Sequence, residues 1–147
     1  MEIIGEIVSI AISPKKKTPK KCIKTSRLIE NHGLADDAHA GEWHRQVSFL
    51  AAESIEKAKD SGLSVGFGDF AENIATRGID WPEIPVGTRF QMGSEAILEI
   101  TQIGKTCHTR CAIYYQAGDC IMPTQGVFAR VLTGGGINVG DVISACP

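Results

Sequence analysis

The sequence predicts a mainly β protein, a closed or nearly closed antiparallel β-barrel with one or two short helices. Three observations lead there. Short runs rich in β-branched and aliphatic residues recur along the chain, 16 glycines punctuate its 147 residues, and a single stretch carries a clear helical period.

Residues 3–12 (Ile-Ile-Gly-Glu-Ile-Val-Ser-Ile-Ala-Ile) favour a strand, because branched side chains suit a pleated surface. Residues 13–21, with Pro14, Pro19 and a run of lysines, read as an exposed, solvated loop. Cys22 to Ile29 returns as a strand, and residues 31–45 form a long loop containing three of the four histidines. The spacing of Leu50, Ala51, Ile55 and Ala58 predicts a helix over Ser48 to Ser61, supported by the Glu53/Lys57 pair and stopped by Gly62.

The second half reads as hairpins. Val86 to Met92 and Ala96 to Thr101 flank a tight turn at Gly93-Ser94, and Val127 to Leu132 is a further strand. Gly134-Gly135-Gly136 turns the chain toward Val142-Ile143. Ile84-Pro85-Val86-Gly87-Thr88 and Ile137-Asn138-Val139-Gly140-Asp141 echo one another, each glycine supplying the turn into an apolar strand.

Length and composition set bounds. Residues 1–147 fit a single domain that buries roughly two-thirds of its unfolded surface, enough for a core without disulfides. A net charge of −2 gives no basic face for nucleic acid. No apolar run approaches a bilayer span, and Glu2 and Glu6 stand where a secretion signal carries Lys or Arg, so no membrane association and a cytoplasmic location are expected. Five cysteines, three of them at 107, 111 and 120, favour free thiols over a disulfide frame.

The strongest chemical candidate is Gly104-Lys105-Thr106-Cys107-His108-Thr109-Arg110-Cys111. Cations beside a thiol stabilise the reactive thiolate, so the segment suits a nucleophilic, sulfur-carrying or metal-binding cysteine. The alternatives are two small buried hydrophobes, or a zinc site from Cys107, His108, Cys111 and Cys120, whose spacing lacks paired C-x2-C knuckles. The loop Asp36 to Gln46 offers His39, His44 and Asp37 to a metal or Arg45 to an anion, against a plain solvated loop. In Gly66 to Ile74, Glu72 and Asn73 suit either a polar heterocycle or the backbone of their own turn. Gly118 to Pro123 reads as a turn with Cys120 structural.

Taken in order, these segments resemble the MOSC family, named for the C-terminal domain of molybdenum cofactor sulfurase. The matching pieces are Asp37-Ala38-His39-Ala40-Gly41, Arg45-Gln46-Val47-Ser48, Gly68 to Ile74, Ile103 to His108 with Cys111, Gly118 to Leu132 and Gly140 to Ile143. Ala71 stands where many relatives have glycine.

The resemblance implies a β-barrel and a signature cysteine that carries sulfur or ligates molybdenum, mapped here to Cys111 with Cys107 as the fallback and His108 beside them. It also implies a molybdenum cofactor or molybdopterin-type ligand, a pterin, held by His39, Arg45, Asp69, Glu72, Asn73 and Arg130. His39, Arg45, Glu72, Asn73 and Cys111 are expected to converge on one site. Partners implied are a desulfurase or a molybdenum cofactor synthesis protein, with no pyridoxal phosphate site in this chain. Three functions follow: a sulfur carrier of sulfurtransferase type, a non-catalytic module that binds a molybdopterin-type ligand, or a molybdenum-dependent reductase of N-hydroxylated compounds.

Overall fold

The computed structural model describes residues 2–15, 19–104 and 126–146. Cys107, His108, Cys111, Cys120 and the apolar stretch after Cys111 lie outside the described residues.

The chain forms β1 (Ile3–Ile12), β2 (Lys21–Ile23), β3 (Thr25–Ile29), β4 (Gly33–Leu34), β5 (Val47–Ala51), α1 (Ala52–Asp60) and β6 (Ile74–Arg77). A 3-10 turn at Trp81–Glu83 leads to β7 (Arg89–Met92), β8 (Ala96–Ile103), β9 (Val127–Thr133), β10 (Gly135–Asn138) and β11 (Val142–Ala145). Seven strands close a barrel in the order β11-β7-β8-β9-β5-β6-β1, the ring being completed by β1 against β11, while β2 extends from β1. All barrel pairs are antiparallel except β5 with β6. A small sheet, β10-β3-β4, accompanies it.

Two apolar clusters explain the pattern. The larger fills the barrel around Phe49, Trp81 and Phe90, whose ring centroids lie 5.0–5.5 Å apart. The Trp81 indole N–H reaches Thr76 Oγ1 at 2.7 Å, so the one polar atom of that ring is satisfied in the core. The smaller cluster packs Leu50, Phe70, Ala75 and Phe128 beneath Ile55 of α1. Strand β5 therefore sends Val47 and Phe49 into the barrel and Leu50 under the helix. Both of its faces are buried, which is why its apolar stretch Phe49-Leu50-Ala51, continuous with Ala52, imitates a helix. The helix expected from Ser48 starts at Ala52, and residues 48–51 are strand.

Two other expectations need correction. Gly135 and Gly136 do not merely turn the chain: they open β10, which pairs with Leu28 and Arg27 of β3. A Cβ on Gly134 would lie 2.7 Å from the Leu28 carbonyl oxygen, so close approach of backbones demands glycine there. The lysine-rich loop is not wholly solvated either. Ser13 is fully buried and Lys20 folds inward, while Lys15 and Lys21 stay exposed.

The two echoed segments adopt the same turn. Thr88 N–H bonds to Pro85 O at 3.2 Å, and Asp141 N–H to Asn138 O at 3.0 Å. Gly87 and Gly140 have φ of 92° and 96°, as the third position of a type II turn requires. The strands that follow, β7 and β11, pair with each other. An added Cβ would meet nothing within 4 Å at either glycine. Gly87→Ala and Gly140→Ala are therefore expected to lose about 1 kcal/mol each, from left-handed backbone strain alone, and to add in the double variant. Urea unfolding checks this; no loss in either would show that the turn relaxes freely to another type.

Candidate functional site

The structure gathers the sequence-predicted polar residues into a buried node and a neighbouring cleft. The node centres on Asp37, in the loop after β4. Its Oδ1 accepts from Ser13 N–H at 2.9 Å and from the Lys20 ammonium at 3.2 Å, and its Oδ2 accepts from Asn73 Nδ2 at 3.1 Å. Side-chain exposure is 3% for Lys20 and zero for Asp37, so this is a buried ion pair whose remaining lone pairs are used by neutral donors. Lys20 Nζ also lies 3.4 Å from His39 Nδ1, which ties His39 to the node from outside.

Asn73 makes every hydrogen bond its amide allows. Nδ2 donates to Asp37 and to Ala11 O at 3.1 Å, while Oδ1 accepts from Ser48 N–H at 2.9 Å and Ser48 Oγ at 3.1 Å. It thereby locks the end of β1 to β5 and to the Asp37 loop. Glu72, its neighbour, turns the other way and accepts from the N–H groups of Gly68 and Phe70. Burial pushes its carboxyl up to about 7, against the opposing effect of those backbone donors. Asp69 is exposed and closes the same turn by accepting from Gly66 N–H at 2.8 Å. Ala71 sits at φ 64°, in the left-handed region that favours glycine.

Arg45 is held separately. Gln102, near the end of β8, accepts from Arg45 Nε at 3.1 Å and lies 2.9 Å from His44 Nε2. The guanidinium carbon is 5.2 Å from the Phe128 ring centroid and 6.0 Å from that of Trp43. Among the described residues its terminal nitrogens have no hydrogen-bond partner, so a half-buried cation remains without a counter-ion. Gln102 is also two residues from Gly104, the last described residue before the cysteine-bearing part of the sequence. There Gly104 N–H bonds to Gly126 O at 2.6 Å, and Gln102 Nε2 donates to Gly104 O at 2.8 Å. Strand β5 links the two arrangements, since Ser48 bonds Asn73 and also pairs with Phe128 of β9.

Arg130 lies elsewhere again. It is exposed on β9 and shares the carboxylate of Glu99 with Arg89, at 3.0 and 3.1 Å. It lines a cleft of about 600 Å³ with Asn31, Glu42, Trp43, His44 and Val86. A second hollow of about 450 Å³ runs along residues 38–43, sharing Glu42 and Trp43 with the first. Of the residues expected to converge, His39 and Asn73 are thus joined through Lys20 and Asp37, Arg45 stands beside Gln102, Glu72 bonds its own turn, and Cys111 lies outside the described residues. Sequence reasoning missed Lys20 and Gln102. One was hidden in a charge run and the other is a lone amide in a strand, and neither pattern signals a partner so distant in sequence.

Among the described residues no three His, Cys, Asp or Glu side chains cluster as a metal site, and no helix is long and apolar enough to cross a membrane. Cys22 and Cys146 are free thiols.

The chain is similar in fold to the YUAD protein from Bacillus subtilis, with a TM-score of 0.73 at 18% identity, covering 95% of this chain and 93% of that one. YiiM from Geobacillus stearothermophilus aligns at 0.65 and 16% identity, over 99% of this chain and 75% of that one. YiiM from Escherichia coli aligns at 0.67 and 16%, over 100% and 70%. No curated protein matches the sequence. Residues 36–144 match the MOSC domain, a span that takes in Asp37, Asn73, Arg45, Gln102 and the cysteine segment but not Ser13 and Lys20. With most of its length matched and the barrel in place, the chain belongs to the MOSC domain family, which is linked to the molybdenum cofactor.

Proposed function

We propose that the protein carries sulfur in molybdenum cofactor metabolism through Cys111, with Cys107 as the alternative thiol and His108 beside them. One observation supports this most. In the sequence these cysteines lie between Gly104 and Gly126, which bond to each other beside Gln102, and Gln102 accepts from Arg45, whose terminal nitrogens have no hydrogen-bond partner among the described residues. A guanidinium in that position favours a thiolate or an anionic ligand.

The chemistry is a thiol exchange. The Cys111 thiolate attacks the outer sulfur of a donor persulfide, forming a Cys111 S–S bond as the donor's S–S bond breaks and its thiolate leaves. The donor would be a desulfurase or a cofactor synthesis protein. A molybdopterin-type ligand fits the residues present: Arg45 suits a phosphate, and the exposed face of Trp43 suits a planar ring. When bound, such a cofactor supplies the molybdenum centre and its sulfur ligands. In that reading Asn73 and Asp37 hold the loop that carries His39 and Trp43, rather than touching the ligand.

Mass spectrometry after exposure to a small-molecule persulfide tests the proposal. One extra sulfur is expected on the native protein and none on Cys111→Ser. Loading lost only in Cys107→Ser would move the role to Cys107, and loading unchanged in both variants would end the sulfur-carrier reading. The cleft beside Trp43 favours a second reading, a module that binds the pterin-type ligand for a partner.

A further inference from the structure

We infer that the ribbon formed by β2 and β3 is a docking face for a short acidic segment of a partner protein. The inference goes beyond the proposed function and does not rest on Cys111.

The net charge of −2 conceals a sharp segregation. Residues 7–29 contain six lysines and Arg27 and no Asp or Glu, whereas the rest of the chain holds eight cations against all 17 acids, a net of −9. Lys20 turns inward to Asp37. Lys21, Lys24 and Arg27 are exposed, and among the described residues none of them has an ion-pair partner. The other exposed arginines among the described residues behave differently: Arg77 is paired with Glu56, and Arg89 and Arg130 with Glu99. Three uncompensated cations on one ribbon keep a local positive field, because charges more than about 8 Å away are largely screened at physiological ionic strength.

The strands fix what accompanies these cations. On β3, Thr25, Arg27 and Ile29 are exposed while Leu28 is buried. Arg27 lies opposite Gly136 of β10, which is itself exposed, and an added Cβ there would meet only Ser26 O, at 4.0 Å. No side chain of the neighbouring strand therefore stands across from the guanidinium. Ile29 is 40% exposed at one end of this face. Val139, 42% exposed, is brought beside the ribbon by its N–H bond to Lys24 O at 2.9 Å. An open basic floor flanked by two aliphatic side chains is complementary to an extended segment of carboxylates with an apolar residue among them.

Length and charge select the class of partner. From Lys21 to Arg27 the ribbon spans at most about 20 Å, six residues of extended chain. Nucleic acid or an anionic membrane would reach past it onto the acidic remainder, and a short protein segment would not. Lys21 follows Lys20, whose ammonium lies 3.4 Å from His39 Nδ1, so a partner seated on the ribbon is next to the loop that carries His39 and Trp43.

Fluorescence anisotropy of the full chain with a labelled Glu-rich peptide of about eight residues, one of them a central Leu, tests this. Saturable binding that weakens as salt is raised is expected. Lys24→Glu with Arg27→Glu should weaken it at least about 10-fold, whereas Lys57→Glu with Lys59→Glu on α1, the same change in net charge, should leave it within about 2-fold. All four positions are exposed, and an unchanged urea midpoint shows that each variant folds. The inference is overturned by absence of saturable binding or by equal losses in the two double variants. It is equally overturned if an oligothymidylate of the same length, or vesicles of phosphatidylserine and phosphatidylcholine, bind more tightly than the peptide. Cys111→Ser should keep native peptide binding, so that failure of the sulfur-carrier reading and failure of this one are told apart.

Discussion

Asp37→Ala is expected to destabilise the protein by about 3–5 kcal/mol, the range for removing one partner of a buried ion pair. Three groups lose a carboxylate oxygen together: the Lys20 ammonium, Ser13 N–H and Asn73 Nδ2. The ammonium dominates, because its side chain is 3% exposed and water cannot readily replace the carboxylate. Against a typical domain stability of about 5–15 kcal/mol, such a loss endangers folding. Lys20→Met should be milder, since Asp37 keeps two neutral donors. Paired with Asp37→Leu, it should recover much of what Asp37→Ala loses. Urea midpoints of the three variants check the order. Asp37→Ala within about 1 kcal/mol of the native protein would mean that the pair contributes no more than an exposed one.

The second large effect is a pH dependence. Glu72 titrates near 7 in the folded protein, raised chiefly by burial, and near its ordinary value of 4.5 when unfolded. Between those values the folded state retains a proton that the unfolded state releases. Its contribution is therefore fully present below pH 4.5 and fades as pH rises toward 7, a decline of about 3 kcal/mol in all. Glu72→Gln cannot ionise and should lack this component. It is expected to be less stable than the native protein at low pH, because one of the Gly68 and Phe70 N–H groups loses its acceptor, and to gain on it as pH rises. Unfolding free energies across this window decide the matter. A difference between the two proteins that does not vary with pH would show that Glu72 titrates alike in the folded and unfolded states.

How far the sequence could be read depended on how local each signal was. β1 was legible to the residue, because its branched side chains and the proline-bearing loop after it are contiguous. The type II turns were legible from two glycines. β10 was not, since its partner β3 lies more than a hundred residues earlier and three glycines look like a turn from within. Among the candidate site residues, the motif around Glu72 and Asn73 declared that hydrogen bonds would be made. It could not say that Asn73 would spend all four on Ser48, Ala11 and Asp37. Lys20 shows the limit most clearly. Composition assigns it to water with its neighbours, and only the placement of Asp37 makes it part of the core.

The seam where β1 meets β11 has a consequence for biosynthesis. These strands lie far apart in the sequence, and on this edge Ile3, Gly5 and Glu6 find their partners among residues 142–144. While the chain is still emerging from the ribosome, that edge of β1 has no mate. The barrel stays an open sheet until the final strand arrives, with a row of unpaired backbone groups on show. Closure is then a long-range event, of the kind that slows folding and lengthens exposure to aggregation. Gly5 sharpens this, because a Cβ there would lie 2.5 Å from Arg77 O on the adjoining strand. The nascent chain thus depends on one residue without a side chain to bring β1 flush against β6 before its other edge can be sealed.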